Sequence, residues 1–467
     1  MSLTTTLPAG LFLLFLTGCK PTAPKKDDPS PVHAVDHIGG PETAAAWYEP
    51  MVAIDGHHKV HMLGEFSGTL AWGTTGLDGG SGNDVYLATL DENAVLERIH
   101  MIDCTGLADG AAVAVDKNDN IYILVYHNAP CLVDGNEVGS TAGSDGESFI
   151  ASFAPDGTFR WLNRFESPTE VIMADLDVNA DGQVVCVGRY SGSVIFGSTD
   201  GAPVTRSSPL RNNVVVAVYD ESGALLRVNE YGNVNSPDLN VDTDPHNNIL
   251  IAGSFSNTLS FGALEVSAAP AAMAGSFFAA KLSPTGVPLW LKSNNGDGIS
   301  LARDACFDLD SNCCILGEYG GTLRVESMEA TARGVDVFLL KYKPSGSLDG
   351  LFNMGSSERD NGTSVCVGVN NQLLITGDYG GTVGFSGSAL TYPVHGRSDL
   401  FILNLNPAFG INWFAHSDDV NQQTGYAIAA DADAIAVVGA TRGAIRFGST
   451  TFSPAGNPAY FLAVTGY

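Results

Sequence analysis

The chain has 467 residues, 44% of them hydrophobic and 16% charged, and 51 Asp and Glu against 23 Lys and Arg leave a formal net charge of -28. That balance is too apolar for a disordered chain and too acidic for a protein that grips nucleic-acid backbones, which need concentrated positive charge. A length of about three ordinary domains with no composition break sends the reading to internal repetition first.

The chain opens "MSLTTTLPAGLFLLFLTGCK". Its apolar run, Leu11 to Leu16, is too short to cross a bilayer and suits an export signal. "LTGC", Leu16 to Cys19, resembles the lipobox of bacterial lipoproteins. The resemblance implies a signal peptide over residues 1–18 and lipid modification of Cys19. The following "KPTAPKKDDPSP", ending residues 19–31, is rich in Pro and charge and reads as a flexible tether. Lys20, where Asp would argue for retention at the inner membrane, makes outer-membrane attachment the expected fate, on the periplasmic side or at the cell surface.

From residue 32 to residue 467 one pattern repeats. A phrase built from Gly, a variable residue, often an aromatic, a small pair and an apolar alternation begins at Gly64 ("GEFSGTLAWG"), Gly188, Gly253, Gly317 ("GEYGGTLRV"), Gly377 ("GDYGGTVGF") and Gly439, with a worn copy at Val125. Before each phrase lie two apolar runs split by an Asn/Asp/Gly turn, as in "DLDVNADGQVVCVG"; after it come two more, as in "DVFLLKYKPSGSLDGLF". Each unit therefore reads as a four-stranded antiparallel meander. Such a unit cannot bury both faces alone, so seven predict an all-β, seven-bladed β-propeller. The last copy stops at its third strand, "YFLAVTGY", and "VHAVDHIGG" (Val32 to Gly40) resembles a fourth, so the N-terminal strand is expected to close the ring.

The candidate chemistry is sparse. "DVNADG" offers Asp177, Asn179 and Asp181 as oxygen ligands for calcium, although the later acidic ligand of a calcium loop is absent and such residues also build turns by bonding their own backbone. No other cofactor is expected. In "HHKVH", His57 and His58 fall in a turn and His61 on a strand. With Cys19 set aside seven cysteines remain, and Cys104 with Cys131 across neighbouring blades, or Cys306 with Cys313 or Cys314, are possible bridges, against buried free thiols. The loops leading from a fourth strand to the next first strand are long and polar and carry "ARD" (Arg303, Asp304), "ERD" (Arg359, Asp360) and Asp418. Loops of this kind carry function on rigid scaffolds. Arg303 and Arg359 are expected at matching places, as a carboxylate clamp or each bonded to its adjacent Asp.

Blade length, third strands such as "DVFLLKYKPSG" and the lipobox together make the chain resemble bacterial lipoproteins of the seven-bladed β-propeller repeat (SBBP) family. That resemblance implies location and shape rather than a reaction. "SPTGVPLW" and "PDGTFRW" resemble quinoprotein-type propeller repeats, which implies that Trp290 and Trp161 dock blades together. The functional expectation is a lipid-anchored, monomeric binding or scaffolding module for a protein or glycan, without nucleic acid. The alternative is a polysaccharide lyase or hydrolase using Asp304, Asp360 and Asp418.

Overall fold

The structure, a computed structural model, describes residues 34–38, 49–72, 75–140, 146–234, 238–268, 275–418, 420–447, 450–452 and 459–466. Cys19, residues 1–18 and the tether lie outside the described residues. Among the described residues the fold is all-β, and the only helical element is the 3-10 turn Val369–Asn371.

Seven antiparallel meanders follow one another. Sheet one comprises Met51–Ile54, Val60–Trp72, Thr75–Leu90 and Leu96–Cys104. Sheet two comprises Ala108–Val115, Ile121–His127, Glu147–Phe153 and Phe159–Glu166. Sheet three runs through Glu170–Val178, Val184–Phe196, Val204–Tyr219 and Leu225–Asn233. Sheet four runs through Leu239–Thr243, Ile249–Phe255, Ser276–Leu282 and Pro288–Ser293. Sheet five holds Ser300–Phe307, Cys313–Val325, Met328–Tyr342 and Leu348–Gly355. Sheet six holds Asp360–Val367, Leu373–Tyr379, Asp399–Leu405 and Ile411–His416. Sheet seven has Gln423–Ala430, Ile435–Thr441 and Ala459–Thr465, and its fourth member is Ala34–Ile38, antiparallel to Ala459–Thr465.

The apolar runs are nearly continuous because each sheet is covered on both faces. Successive strand residues point to opposite faces. Thus Val214, Val216 and Val218 pack toward sheet four, while Val215, Ala217 and Tyr219 pack toward sheet two. One buried layer lies between each consecutive pair of sheets, and one more joins Met62 and Tyr86 of sheet one to Val438 and Leu462 of sheet seven. The first strands are neighbours in the same cyclic order, sheet seven touching sheet one. Burial of each such valine contributes about 1.5–3 kcal/mol, so the layers hold the sheets face to face.

The phrase does two mechanical jobs. Its first glycine lies where backbones meet: a Cβ on Gly317 would stand 2.1 Å from the Leu301 carbonyl oxygen. Its later glycine, Gly68, Gly192 or Gly321, has φ of 71°, 70° and 74° and sits at a register shift of the second strand. There glycine takes the left-handed conformation without strain. Beyond that bulge the strand enters an outer hairpin that pairs with the preceding sheet, as Phe196 does with Phe165. The Cys104–Cys131 disulfide sits on such a seam between sheets one and two. Cys186, Cys306, Cys313, Cys314 and Cys366 are free thiols. Trp161 and Trp290 each donate Nε1–H to a turn of the next sheet, at Glu221 O and Pro344 O.

At the opposite end the turns between first and second strands join sheets, and here the three histidines of "HHKVH" part company. His57 Nδ1 lies 2.6 Å from Asp119 Oδ2 of sheet two, His58 Nδ1 lies 2.5 Å from Asp431 Oδ2 of sheet seven, and buried His61 sits against Asp55 and Thr89. The hydrogen bond to Asp431, and then its charge, raise the His58 pKa above 6.5. A raised folded-state pKa stabilises fully below the unfolded value, and that contribution disappears as pH rises through the folded one. Thermal melts over roughly pH 6 to 8 should show wild-type stability declining more steeply than that of His58→Gln.

Candidate functional site

The end where fourth-strand loops enter the next first strand gathers charge. It does so because the residue after each phrase glycine stands there: Glu65, Arg189, Glu318 and Asp378 in sheets one, three, five and six. Glu318, with a side chain 2% exposed, receives Arg359 Nη2 on both oxygens at 3.0 and 2.9 Å and also binds Arg303. Arg303 reaches onward to Asp238 Oδ2 of the sheet-four approach at 3.0 Å, and Arg359 Nε donates to Asn361 Oδ1. A buried carboxylate with two guanidiniums is strongly held, since losing both would strand its charge.

Glu49 lies just ahead of sheet one. The residue is exposed, yet desolvation of its carboxyl raises the pKa, with Arg303 opposing and Asp378 and Asp238 adding to the shift. The charges that act on it thus come from sheets five and six and the approach to sheet four. Tyr426, raised chiefly by burial, feels Glu49, Tyr460 and Asp378. On the flank of sheets one and two, Glu65 and Asp109 are buried beside one another. Burial, and then the nearby Asp109 carboxyl, raise the Glu65 pKa.

The residues singled out from sequence are placed as follows. Arg303 and Arg359 meet on Glu318, but not from matching positions. Arg303 is the unpaired residue of a bulge between Ala302 and Asp304, whereas Arg359 precedes Asp360, whose counterpart by register is Ser300. Neither arginine bonds its neighbouring aspartate. Asp304 is a stitch between first strands: its oxygens accept the amides of Ala305 and, in sheet six, Val365, and burial pushes it up to about 6. Asp175 and Asp242 do the same toward Val241 and Phe307. Asp360 is fully buried, accepts from Ser356 N, Ser356 Oγ and Gly380 N, and is pushed up to about 7 by burial. Asp418 forms a two-pronged ion pair with Arg446, which lowers its pKa.

Each of these acids is committed to a separate partner, whereas glycoside hydrolysis needs two carboxyls facing each other across about 5–9.5 Å. Asp177, Asn179 and Asp181 do not converge either: they engage Thr243 Oγ1, the amides of Asp181 and Gln183, and Asn247 Nδ2 respectively. Among the described residues the groups with metal-ligand spacing are instead Asp55, His57 and Asp119, and His395, Asp399 and His416. Sequence reading passed over Glu49, Asp238 and Glu318. The available signal was an acidic residue inside a strand phrase, "GEYGG" and "GDYGG".

No family model matches the chain. An uncharacterized WD repeat-containing protein of Acanthamoeba polyphaga mimivirus is 24% identical over 154 residues, which is 31% of this chain and 11% of that protein. Similar solved structures include an ulvan lyase of polysaccharide lyase family 25, at TM-score 0.46 and 10% identity over 94% of this chain and 96% of that one. A virginiamycin B lyase from Staphylococcus aureus has TM-score 0.33 and 9% identity over 77% of this chain and 95% of that one. A Bacteroides caccae protein of unknown function has TM-score 0.37 and 10% identity over 76% of this chain and 92% of that one. No residue role is carried over from them.

Proposed function

We propose that the chain is a closed seven-bladed β-propeller, tethered to a bacterial outer membrane through lipidated Cys19, that binds a glycan or peptide at the face formed by Arg303, Glu318 and Arg359. The cyclic order of first strands and the layer joining sheets one and seven support the closed form. The binding reading rests on one observation: Glu318 is buried while the side chain of Arg359, which it holds, is 58% exposed. A guanidinium pinned on one edge and open on the other is a rigid donor at small entropic cost. The carboxylates of Asp238, on Arg303, and Asp378, on Asn361, suit a ligand rich in hydroxyl or N–H donors.

The test is a glycan and peptide array probed with the purified full chain, followed by Arg359→Ala. That variant leaves Arg303 on Glu318, so the fold is retained. Affinity should fall about tenfold or more, the scale of one charge-assisted contact. An unchanged affinity, with a footprint at the opposite end, would overturn the assignment. For the anchor, mass spectrometry of the chain from a lipoprotein-competent bacterium should show a lipid on wild type and none on Cys19→Ser.

A further inference from the structure

The third-strand residue paired with the third residue of each phrase is polar and buried in sheets one to six: Asp84, Glu147, Asn213, Ser276, Asp336 and Asp399. Asp84 and Glu147 use an oxygen to accept a backbone amide, from Cys104 and Ser167. Asp399 also caps a loop, accepting His395 N at 2.9 Å, but two imidazoles converge on it as well. His395 Nδ1 is 3.2 Å from Asp399 Oδ2, and the rings of His395 and His416 stack with centroids 5.7 Å apart and planes 9° off parallel.

We infer that His395, Asp399 and His416 form a binding site for a divalent transition-metal ion of the zinc type. One donor atom from each lies within 4.8 Å of the other two. Zinc bonds of about 2.0–2.2 Å set tetrahedral donors about 3.3 Å apart, a separation the His395–Asp399 pair already has and small rotamer changes bring to His416. Asp399 is 0% exposed, and its Oδ1 has no hydrogen-bond partner. A buried oxygen of this kind is costly unless something binds it. A simple histidine–carboxylate pair does not account for that oxygen.

The surroundings orient the ligands as outer-shell groups do around metals. His416 Nδ1 is 2.9 Å from Ser417 O and 3.1 Å from the Tyr379 hydroxyl, and that hydroxyl is 3.3 Å from Asp399 Oδ2. Asp418 is near enough for its charge to act on both imidazoles. The His395 side chain, 39% exposed, leaves the ion a way in.

The purified full chain, stripped with chelator, would be titrated with Zn2+ against a chromogenic indicator, with Co2+ as a visible-absorption probe. One equivalent should bind, and His395→Ala and His416→Gln should each weaken it about 100-fold, the upper end of what even outer-shell losses cost. His395→Ala leaves the backbone cap on Asp399 intact, so it decides the matter if His416→Gln does not fold. The double variant His57→Ala, His58→Ala should bind as wild type does. No uptake by wild type, uptake unchanged in His395→Ala, or uptake lost only in the His57, His58 variant would each overturn the site.

Discussion

Deleting residues 32–40 should lower the melting temperature sharply and promote self-association, whereas deleting residues 21–31 should leave both nearly unchanged. The strand Ala34–Ile38 pairs in register with Ala459–Thr465, Ala34 opposite Val464 and Ile38 opposite Tyr460. Without it Ala459–Thr465 becomes an edge with unsatisfied backbone groups. At about 1 kcal/mol net per hydrogen bond, a five-residue ladder is a loss of about 5 kcal/mol. The open edge would also template pairing with a second copy. Leu462 and Val464 belong to the layer shared with sheet one, so fraying there loosens the junction between the two ends of the array. Calorimetry and size-exclusion chromatography of the two truncations provide the comparison, and equal melting would show that the pairing contributes nothing to stability.

Gly317→Ala should cost about 3 kcal/mol, toward the upper end of overpacking penalties. The added carbon would lie 2.1 Å from the Leu301 carbonyl oxygen and 2.5 Å from the Phe338 ring. Both belong to the same sheet, and Phe338 is fully buried, so neither can move without opening a packed layer. Gly377→Ala meets Asn361 O at 2.0 Å and should behave alike. Gly384→Ala is the control, since its nearest neighbour is Thr391 Cγ2 at 3.8 Å, and it should shift stability by less than about 0.5 kcal/mol. Urea titrations of the three variants measure these differences directly.

The all-β character and the antiparallel meanders were legible in the sequence because they depend on local alternation and turn chemistry, which recur every 60 to 65 residues. The Cys104–Cys131 bridge was also within reach, since both cysteines stand on strand ends of consecutive units. What lay beyond the sequence was which side chain meets which across sheets. Arg303 is the bulge residue of the sheet-five first strand and matches Thr363 in sheet six, whereas Arg359 lies just ahead of its strand, and no local signature separates "ARD" from "ERD". Asp304 and Asp360 stand next to those arginines in sequence, and their carboxylates are taken by backbone amides, from sheet six in one case and from the loops on either side in the other. Glu318 likewise has no chemistry of its own until Arg303 and, from the sheet-six approach, Arg359 are brought onto it. The same holds for His395 and His416, which are separated by a strand and a turn and meet only because the third and fourth strands of one sheet pair antiparallel. Strand periodicity is a property of neighbours along the chain and is written there; a site assembled from several sheets depends on long-range register, which only the packed tertiary structure decides.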